Sequence, residues 1–172
     1  TNPPFGAKIP IDNPDILEVF DLGYRWSKDE LGNWQKGERQ KRQPPEILFI
    51  EACYRFLKPG GRIAIVLPDS ILSNPNTEYV RAWILRKFQI LASIDLAIEA
   101  FLPQVGVQAS LLFLKKKTEL ETQLVRETEE DYEVFMAIAD KLGKDRRGNP
   151  VYLRDEYGAE LTFPKEIEYL GF

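Results

Sequence analysis

Arg62 to Leu67 reads RIAIVL, an apolar run of mostly branched residues. Such a run fits a strand buried on both faces at the centre of a parallel sheet. Lys58-Pro59-Gly60-Gly61 stands directly before it and ends a helix. That helix begins at Pro44-Pro45, where Pro45 and Glu46 suit a first turn. Leu48, Phe49, Ala52, Cys53, Phe56 and Leu57 then make an apolar face at helical spacing. Because the glycine pair precedes the strand, it is a helix-to-strand turn and not a phosphate loop. Asn76 or Thr77 caps a second helix, with Glu78 in its first turn and Val80, Ile84 and Phe88 on one face beside Tyr79 and Trp83. Strands follow at 90–96 and 109–114, and the loop between them, 97–108, is too short for a crossover helix, so they pair antiparallel. This order predicts the second half of a doubly wound, Rossmann-like α/β sheet that ends in an antiparallel hairpin.

In open sheets of this kind ligands sit at the carboxyl ends of the strands. Pro68-Asp69-Ser70 follows the RIAIVL strand at that edge, and Asp69 and Ser70 are therefore expected beside the site. The residues expected to do chemistry open the chain: Asn2-Pro3-Pro4-Phe5-Gly6. Each proline fixes its own φ and pushes the residue before it into extended geometry, so the segment is stiff. Neither proline has an N–H, which leaves the Asn2 amide and the Pro3 carbonyl free to converge as two acceptors on one small donor. Phe5 offers a flat apolar face beside them, and Gly6 lets the chain turn away without a side chain in the space. A planar ring that carries an amino group fits. Two acceptors that bind both amine hydrogens favour the tetrahedral geometry in which the nitrogen lone pair can attack a methyl group. A base in duplex DNA must also be swung out of the stack and held on an aromatic surface, to which Phe5 is suited. By chance, an Asn-Pro-Pro-aromatic tetrapeptide occurs in a chain of this length on the order of once in a thousand, so the signal stands above coincidence.

The 172 residues are enough for one ordinary domain with an extension. The opening residue is Thr, and the chain is expected to be cut from something longer or processed. One cysteine and no histidine exclude an internal disulfide, a zinc site built on Cys and His, and a Ser/His/Asp triad. No stretch approaches the ~18 apolar residues of a membrane span, and a cytoplasmic protein is expected. A net charge of −4 argues against a wholly basic nucleic-acid binder, though local patches outweigh the sum. One such patch lies in the polar stretch 21–43, where Tyr24, Trp26 and Trp34 alternate with Arg25, Lys28, Lys36, Arg39, Lys41 and Arg42. Basic residues among exposed aromatics suit a nucleic-acid backbone and unstacked bases. A solvated loop whose two tryptophans pack back on the body is the alternative.

Here the pattern resembles a known family. Asn-Pro-Pro-Phe-Gly at 2–6, LKPGGRIAIVLPDSIL at 57–72, FLPQVGVQASLLFLKK at 101–116 and VFMAIADKLGKDRRGNPVY at 134–152 are similar to the carboxyl-terminal part of the catalytic domain of adenine-specific (N6) DNA methyltransferases. The modification subunits of type I restriction-modification systems resemble it most. The resemblance implies that Asn2 and the Pro3 carbonyl hold the amino group of a flipped adenine, with Pro4 completing the loop and Phe5 stacking on the base. It implies S-adenosylmethionine as methyl donor, double-stranded DNA as substrate, and specificity and restriction subunits as partners. Gly6, Asp69 and Ser70 become neighbours of the substrate cleft, and the loop at 101–108, with Gln104, a candidate for DNA contact. In this family the cofactor is held chiefly by a glycine-rich turn and an acidic residue upstream of the Asn-Pro-Pro-aromatic loop. This chain shows neither, so alone it is expected to be inactive and a poor cofactor binder.

The expected division is a sheet unit at 1–117 and an extension at 118–172 made of an acidic linker, a helix and a short hairpin. Tyr132, Phe135, Met136 and Ala139 fall on one helical face; Lys144 to Asn149 reads as a charged turn and Val151 to Leu153 as a short strand. The acidic run is either a solvated face or a docking surface for a specificity subunit. Lys144, Arg146 and Arg147 either touch phosphate or form a solvent-facing hairpin tip. Two alternatives to DNA methylation remain open: a glutamine methyltransferase acting on a protein, and a non-catalytic module that binds DNA or a subunit.

Overall fold

The computed structural model describes residues 1–6, 9–124 and 131–161. The part of the acidic run at 125–130 therefore lies outside the described residues. Helix α1 (Pro14–Val19) leads into an antiparallel hairpin of β1 (Tyr24–Lys28) and β2 (Trp34–Arg39). Helix α2 (Pro45–Phe56), strand β3 (Arg62–Pro68), the short helix α3 (Asp69–Ser73) and helix α4 (Glu78–Lys87) follow. Strands β4 (Phe88–Leu96) and β5 (Ala109–Lys116), helix α5 (Glu119–Leu124) and strand β6 (Phe135–Ala139) complete the described elements. The main sheet runs β3-β5-β4-β6, with β5 antiparallel to both neighbours and β6 parallel to β4. The mixed α/β architecture and the terminal antiparallel hairpin agree with the sequence.

Strand alternation places Ile65 and Leu67 of β3, Leu112 and Leu114 of β5, and Phe88 of β4 in the core. They pack with Ile47, Leu48 and Ile50 of α2 and with Val80, Trp83 and Ile84 of α4. Tyr54 stands edge-on to both Trp83 and Phe88, tying the two helices to the sheet. The buried face of α2 is thus rotated from the expected one. Phe56 is 90% exposed and Phe49 is also exposed, while Glu46 and Glu51 are buried. The carboxylates are accommodated because each accepts a main-chain N–H: Glu46 from Gly6 at 2.9 Å and Glu51 from Leu22 at 2.8 Å. Arg55 pairs with Glu51 at 2.6 Å and also donates to the Val19 carbonyl.

β3 is flanked on both edges by described chain. Among the described residues it pairs with β5, antiparallel, and its other edge meets Thr1 alone. Thr1 donates to the Ala64 carbonyl and its own carbonyl accepts from the Val66 N–H, the two bonds of a parallel bridge opposite Ile65.

The stretch from 24 to 39, expected to be irregular, is a hairpin. Asp29 closes its tip by accepting the N–H groups of Leu31 and Asn33, with Gly32 at φ +84°. The same turn recurs in the tail, where Asp145 binds the N–H groups of Arg147 and Asn149 across Gly148. It occurs a third time as Asp155 with Tyr157 and Ala159. These two tail turns follow one another so closely that Val151–Leu153 between them is not a strand; the pairing is reduced to the bridges Lys144 with Pro150 and Arg154 with Glu160.

The expected helix over Tyr132 to Ala139 is instead β6. Helical spacing was satisfied, but the open edge of β4 offers hydrogen bonds, and Phe135–Ala139 takes them in register with Ala92–Leu96. The extension thereby supplies a strand to the sheet of the preceding unit. The cap expected from the Asn76 or Thr77 side chain is also different: Asn74 accepts from the Asn76 N–H, and the Thr77 hydroxyl donates to the carbonyls of Ser70, Ile71 and Asn74.

α5 opens on a reciprocal capping box, with the Glu121 N–H on Thr118 Oγ1 and the Thr118 N–H on the Glu121 carboxylate. The hydrogen bond from the Lys115 ammonium, then the Thr118 N–H, hold the Glu121 carboxyl down at about 2, below the ordinary 4.5. A carboxyl with a lowered folded value stabilises above its unfolded value and loses that contribution as pH falls through the folded one. Acid unfolding of the wild type should therefore show a small loss between 4.5 and about 2 that Glu121→Gln lacks, read as urea midpoints at stepped pH.

Candidate active site

The parallel bridge at Thr1 sets the direction of the residues after it. The chain leaves Thr1 along β3 and reaches the carboxyl end of that strand at Asn2 to Phe5. Pro3 is buried, Asn2 is exposed and Phe5 is half-buried. Neither acceptor of the turn, the Asn2 amide oxygen or the Pro3 carbonyl, is engaged among the described residues. Pro4 is exposed, and its missing N–H leaves the turn without an internal competitor for these acceptors.

The segment is fixed at its other end through Gly6. Its N–H reaches the Glu46 carboxylate, and a Cβ at this position would lie 2.3 Å from Pro45 Cγ and 2.5 Å from Pro45 Cδ. The need for glycine here is thus steric, from close packing on the first turn of α2.

Phe5 meets Phe101, with ring centroids 5.3 Å apart and planes at 65°. Phe101 follows the turn Ile98–Ala100 in the loop between β4 and β5. The sequence placed this loop near the site without singling out Phe101. The one signal that could have found it is a second aromatic at the sheet edge that carries Phe5. Gln104, on the same loop, is exposed. The loop is anchored at its far end: the Gln108 amide donates to Asp95 at 2.9 Å and to the Leu96 carbonyl, and the Gln108 carbonyl accepts from the Asp69 N–H at 3.0 Å.

Asp69 and Ser70 lie at the same end of β3. The Asp69 carboxylate accepts from the Ser110 hydroxyl at 2.9 Å. It lines a cavity of about 740 Å³ with Ser93, Asp95, Ser110 and Met136, and none of residues 2–6 belongs to that cavity. Ser70 is exposed, and its carbonyl receives the Thr77 hydroxyl. Asp69 and residues 2–6 both lie at the carboxyl end of β3, with Asp69 engaged on Ser110.

The basic and aromatic residues of the hairpin form a separate group. Trp26 and Trp34 face α4 and, with Tyr79, Trp83 and Arg86, line a cleft of about 410 Å³. The Trp26 indole donates to the Asp21 carbonyl, and the Trp83 indole N–H is buried with no acceptor among the described residues. Lys28 pairs with Glu78 at 2.7 Å and lies over the Trp34 ring; Lys36 pairs with Asp21 at 2.8 Å and lies over the Tyr24 ring. The half-buried tryptophans follow the packed alternative more than the open one. Arg39, Lys41 and Arg42 are exposed at the hairpin's end.

The tail turn reaches back to the Phe101 loop. Lys144 donates to the carbonyls of Ala100 at 2.9 Å and Leu102 at 3.2 Å, and Arg146 pairs with Glu99 at 3.1 Å. Two of the side chains weighed as phosphate contacts are therefore engaged within the chain.

No group of three or more His, Cys, Asp or Glu side chains among the described residues is arranged to hold a metal, and no described helix is long and apolar enough to cross a membrane. Among solved structures, the chain is similar to a protein from Listeria monocytogenes assigned to the class I S-adenosylmethionine-dependent methyltransferases. The likeness has a TM-score of 0.53 at 22% identity over 77% of this chain and 34% of that one. It is also similar to a modification subunit assigned to a type I restriction enzyme of Vibrio vulnificus YJ016. Here the TM-score is 0.48 at 18% identity, over 94% of this chain and 35% of the other. The chain thus spans about a third of the length of each. The first likeness shows the methyltransferase fold. The family model of N-6 DNA methylase matches residues 1–156, and the chain belongs to that family.

Proposed function

We propose that this chain carries the amine-binding loop of an enzyme that methylates the exocyclic N6 amine of a flipped adenine in double-stranded DNA, with S-adenosylmethionine as donor. The observation that carries the reading is the pair of acceptors, Asn2 Oδ1 and the Pro3 carbonyl, unengaged among the described residues beside Phe5 at the carboxyl end of β3.

In this reading the adenine amine donates one hydrogen to Asn2 and one to Pro3. That fixes the nitrogen in the geometry whose lone pair points at the incoming methyl group, and it requires no prior deprotonation. Phe5 covers one face of the base. Phe101 now stands edge-on against Phe5, in the space a base would fill, and on entry it moves aside to cover the other face. A planar ring between two aromatic faces needs roughly 7 Å between them, against the 4.5–7 Å of ordinary aromatic pairs, so the Phe101 side chain is the part that yields.

The reading places the cofactor's main binding residues outside the described ones. No glycine-rich turn among them opens a helix at the sheet's carboxyl edge; the glycines with positive φ lie at tight turns, as Gly32, Gly60 and Gly148 do. The division of labour we propose is that residues 1–117 hold the base and a further part of the protein holds the donor, so this chain alone is inactive. Residues 118–172 form the extension, and its acidic run meets a specificity subunit, with a restriction subunit completing the assembly. Trp26, Lys28, Trp34, Lys36, Arg39, Lys41, Arg42 and Gln104 are proposed DNA contacts, with the last three basic residues the most accessible.

The test is transfer of labelled methyl from S-adenosylmethionine by the complete protein, with its specificity subunit, to DNA. Label recovered as N6-methyladenine is the expected result. DNA unlabelled under every condition, with label on a protein glutamine, would overturn the substrate while keeping the loop's chemistry.

A further inference from the structure

We propose that Glu46 and Lys144 are positioning residues: each holds, from behind, the main chain of one of the two segments that present Phe5 and Phe101. The proposal rests on the reading of those rings as the walls that receive the base.

Glu46 is in the first turn of α2 and only 5% exposed. Its Oε2 accepts the N–H of Gly6, the residue after Phe5, at 2.9 Å. The two prolines have no N–H, so the segment 2–6 has few main-chain donors with which to be held at all. Thr1 is tied to β3 by two bonds at one end, and Glu46 ties the other end to α2. Phe5 lies one residue inside the second tie.

Lys144 comes from the far end of the chain. Its ammonium donates to the carbonyls of Ala100 and Leu102, which flank Phe101 on either side. Gln108 anchors the far end of the same loop on Asp95, Leu96 and Asp69. The exposed stretch Pro103 to Gly106 lies between these ties. The tip can therefore move, and the Phe101 side chain can rotate, while the main chain on either side of Phe101 stays in place. Arg146 adds an ion pair to Glu99, but it is 77% exposed at the side chain and contributes little.

The two ties are complementary in charge. A carboxylate takes the N–H behind one ring, and an ammonium takes the carbonyls behind the other. Hydrogen bonds to ionised groups are shorter and stronger than neutral ones, which suits ties that must hold while the rings between them part. Small misplacement of a reacting group costs rate steeply, so the effect of losing a tie falls on kcat.

The test uses the complete protein with its specificity subunit and compares Glu46→Ala, Glu46→Gln, Lys144→Met and Lys144→Arg. Three readouts are taken: kcat and KM for DNA, the fluorescence of 2-aminopurine at the target position as a report of base extrusion, and the thermal midpoint. Glu46→Ala and Lys144→Met are expected to lower kcat by roughly 10- to 100-fold and to weaken the 2-aminopurine signal, with KM changed much less. Glu46→Gln should recover most of the loss because its amide oxygen accepts the same N–H. Lys144→Arg should recover part of it, since a guanidinium can reach both carbonyls. Wild-type kcat and extrusion in the Ala and Met variants would overturn the proposal, as would losses that follow only the fraction of protein folded. If the wild type leaves DNA unmodified, the substrate reading fails, and the ties are read on the chain itself by amide exchange. Gly6 should then exchange slowly in wild type and fast in Glu46→Ala, and an unchanged rate would overturn the assignment of Glu46.

Discussion

Asn2→Ala should lower kcat for DNA methylation by at least roughly 100-fold, the scale on which loss of one preorganised polar group aimed at a reacting centre is felt. In the proposed reading the substitution removes one of two acceptors that define the amine's geometry. The other, the Pro3 carbonyl, belongs to the main chain and survives. Pyramidal geometry then depends on a single hydrogen bond, and the lone pair returns to conjugation with the ring. Because the Asn2 side chain is exposed and meets no described donor, its loss should cost little stability, within about 0.5 kcal/mol. The same midpoint of unfolding with a collapsed kcat is therefore the expected pair of results, and DNA affinity should change little. Asn2→Asp, which keeps an oxygen at the site but adds charge, should retain more activity than Asn2→Ala if acceptance is the role. Single-turnover methylation with each variant checks this. An Asn2→Ala enzyme within a few-fold of wild type would remove Asn2 from the chemistry.

Gly6→Ala should damage both stability and turnover. The added carbon would stand 2.3 Å from Pro45 Cγ and 2.5 Å from Pro45 Cδ, and it would also crowd the Ile9 carbonyl at 3.3 Å. Pro45 is buried in the first turn of α2, so its ring has little room to yield. Overpacking of this kind costs about 1–3 kcal/mol, and the strain is relieved most easily by moving the opening segment away from α2. That movement would lengthen the Gly6 to Glu46 hydrogen bond and displace Phe5. Gly60 is the natural comparison: it has open space around its Cβ position, and replacement there meets only the cost of a positive φ. Urea midpoints and kcat measured below the unfolding transition separate the two effects. Gly6→Ala should lose both, Gly60→Ala only stability.

The parts of the fold that could be read in advance are those where local preference and tertiary demand agree. α2, β3 and the β4–β5 hairpin each have apolar runs of the right length between clear stop signals, and each formed where expected. β6 failed because Tyr132, Phe135, Met136 and Ala139 satisfy a helical period while the deciding fact, an unpaired edge on β4, belongs to a strand some 40 residues away. The β1–β2 hairpin is obscured because its faces are polar and charged, which hides the alternation, though the Asp-x-x-Gly-Asn pattern of its turn at 29–33 recurs at 145–149. At the site, Asn2 to Gly6 was legible as a stiff segment with free acceptors. Phe101, Glu46 and Lys144 were not. Their roles come from proximity across 40 to 96 residues of chain, and a buried Glu in a helix's first turn looks in sequence like any residue favoured there by the helix dipole.

The three tryptophans of this chain all line the single cleft between the hairpin and α4. Intrinsic emission is therefore a local optical report on how the hairpin seats against that helix, and it is blind to the phenylalanine pair, which absorbs and emits too weakly to compete. A spectral change on adding DNA would record contact with, or displacement of, the hairpin. Parting of Phe5 and Phe101 would leave the spectrum unchanged. Light from this protein separates the two events without a label.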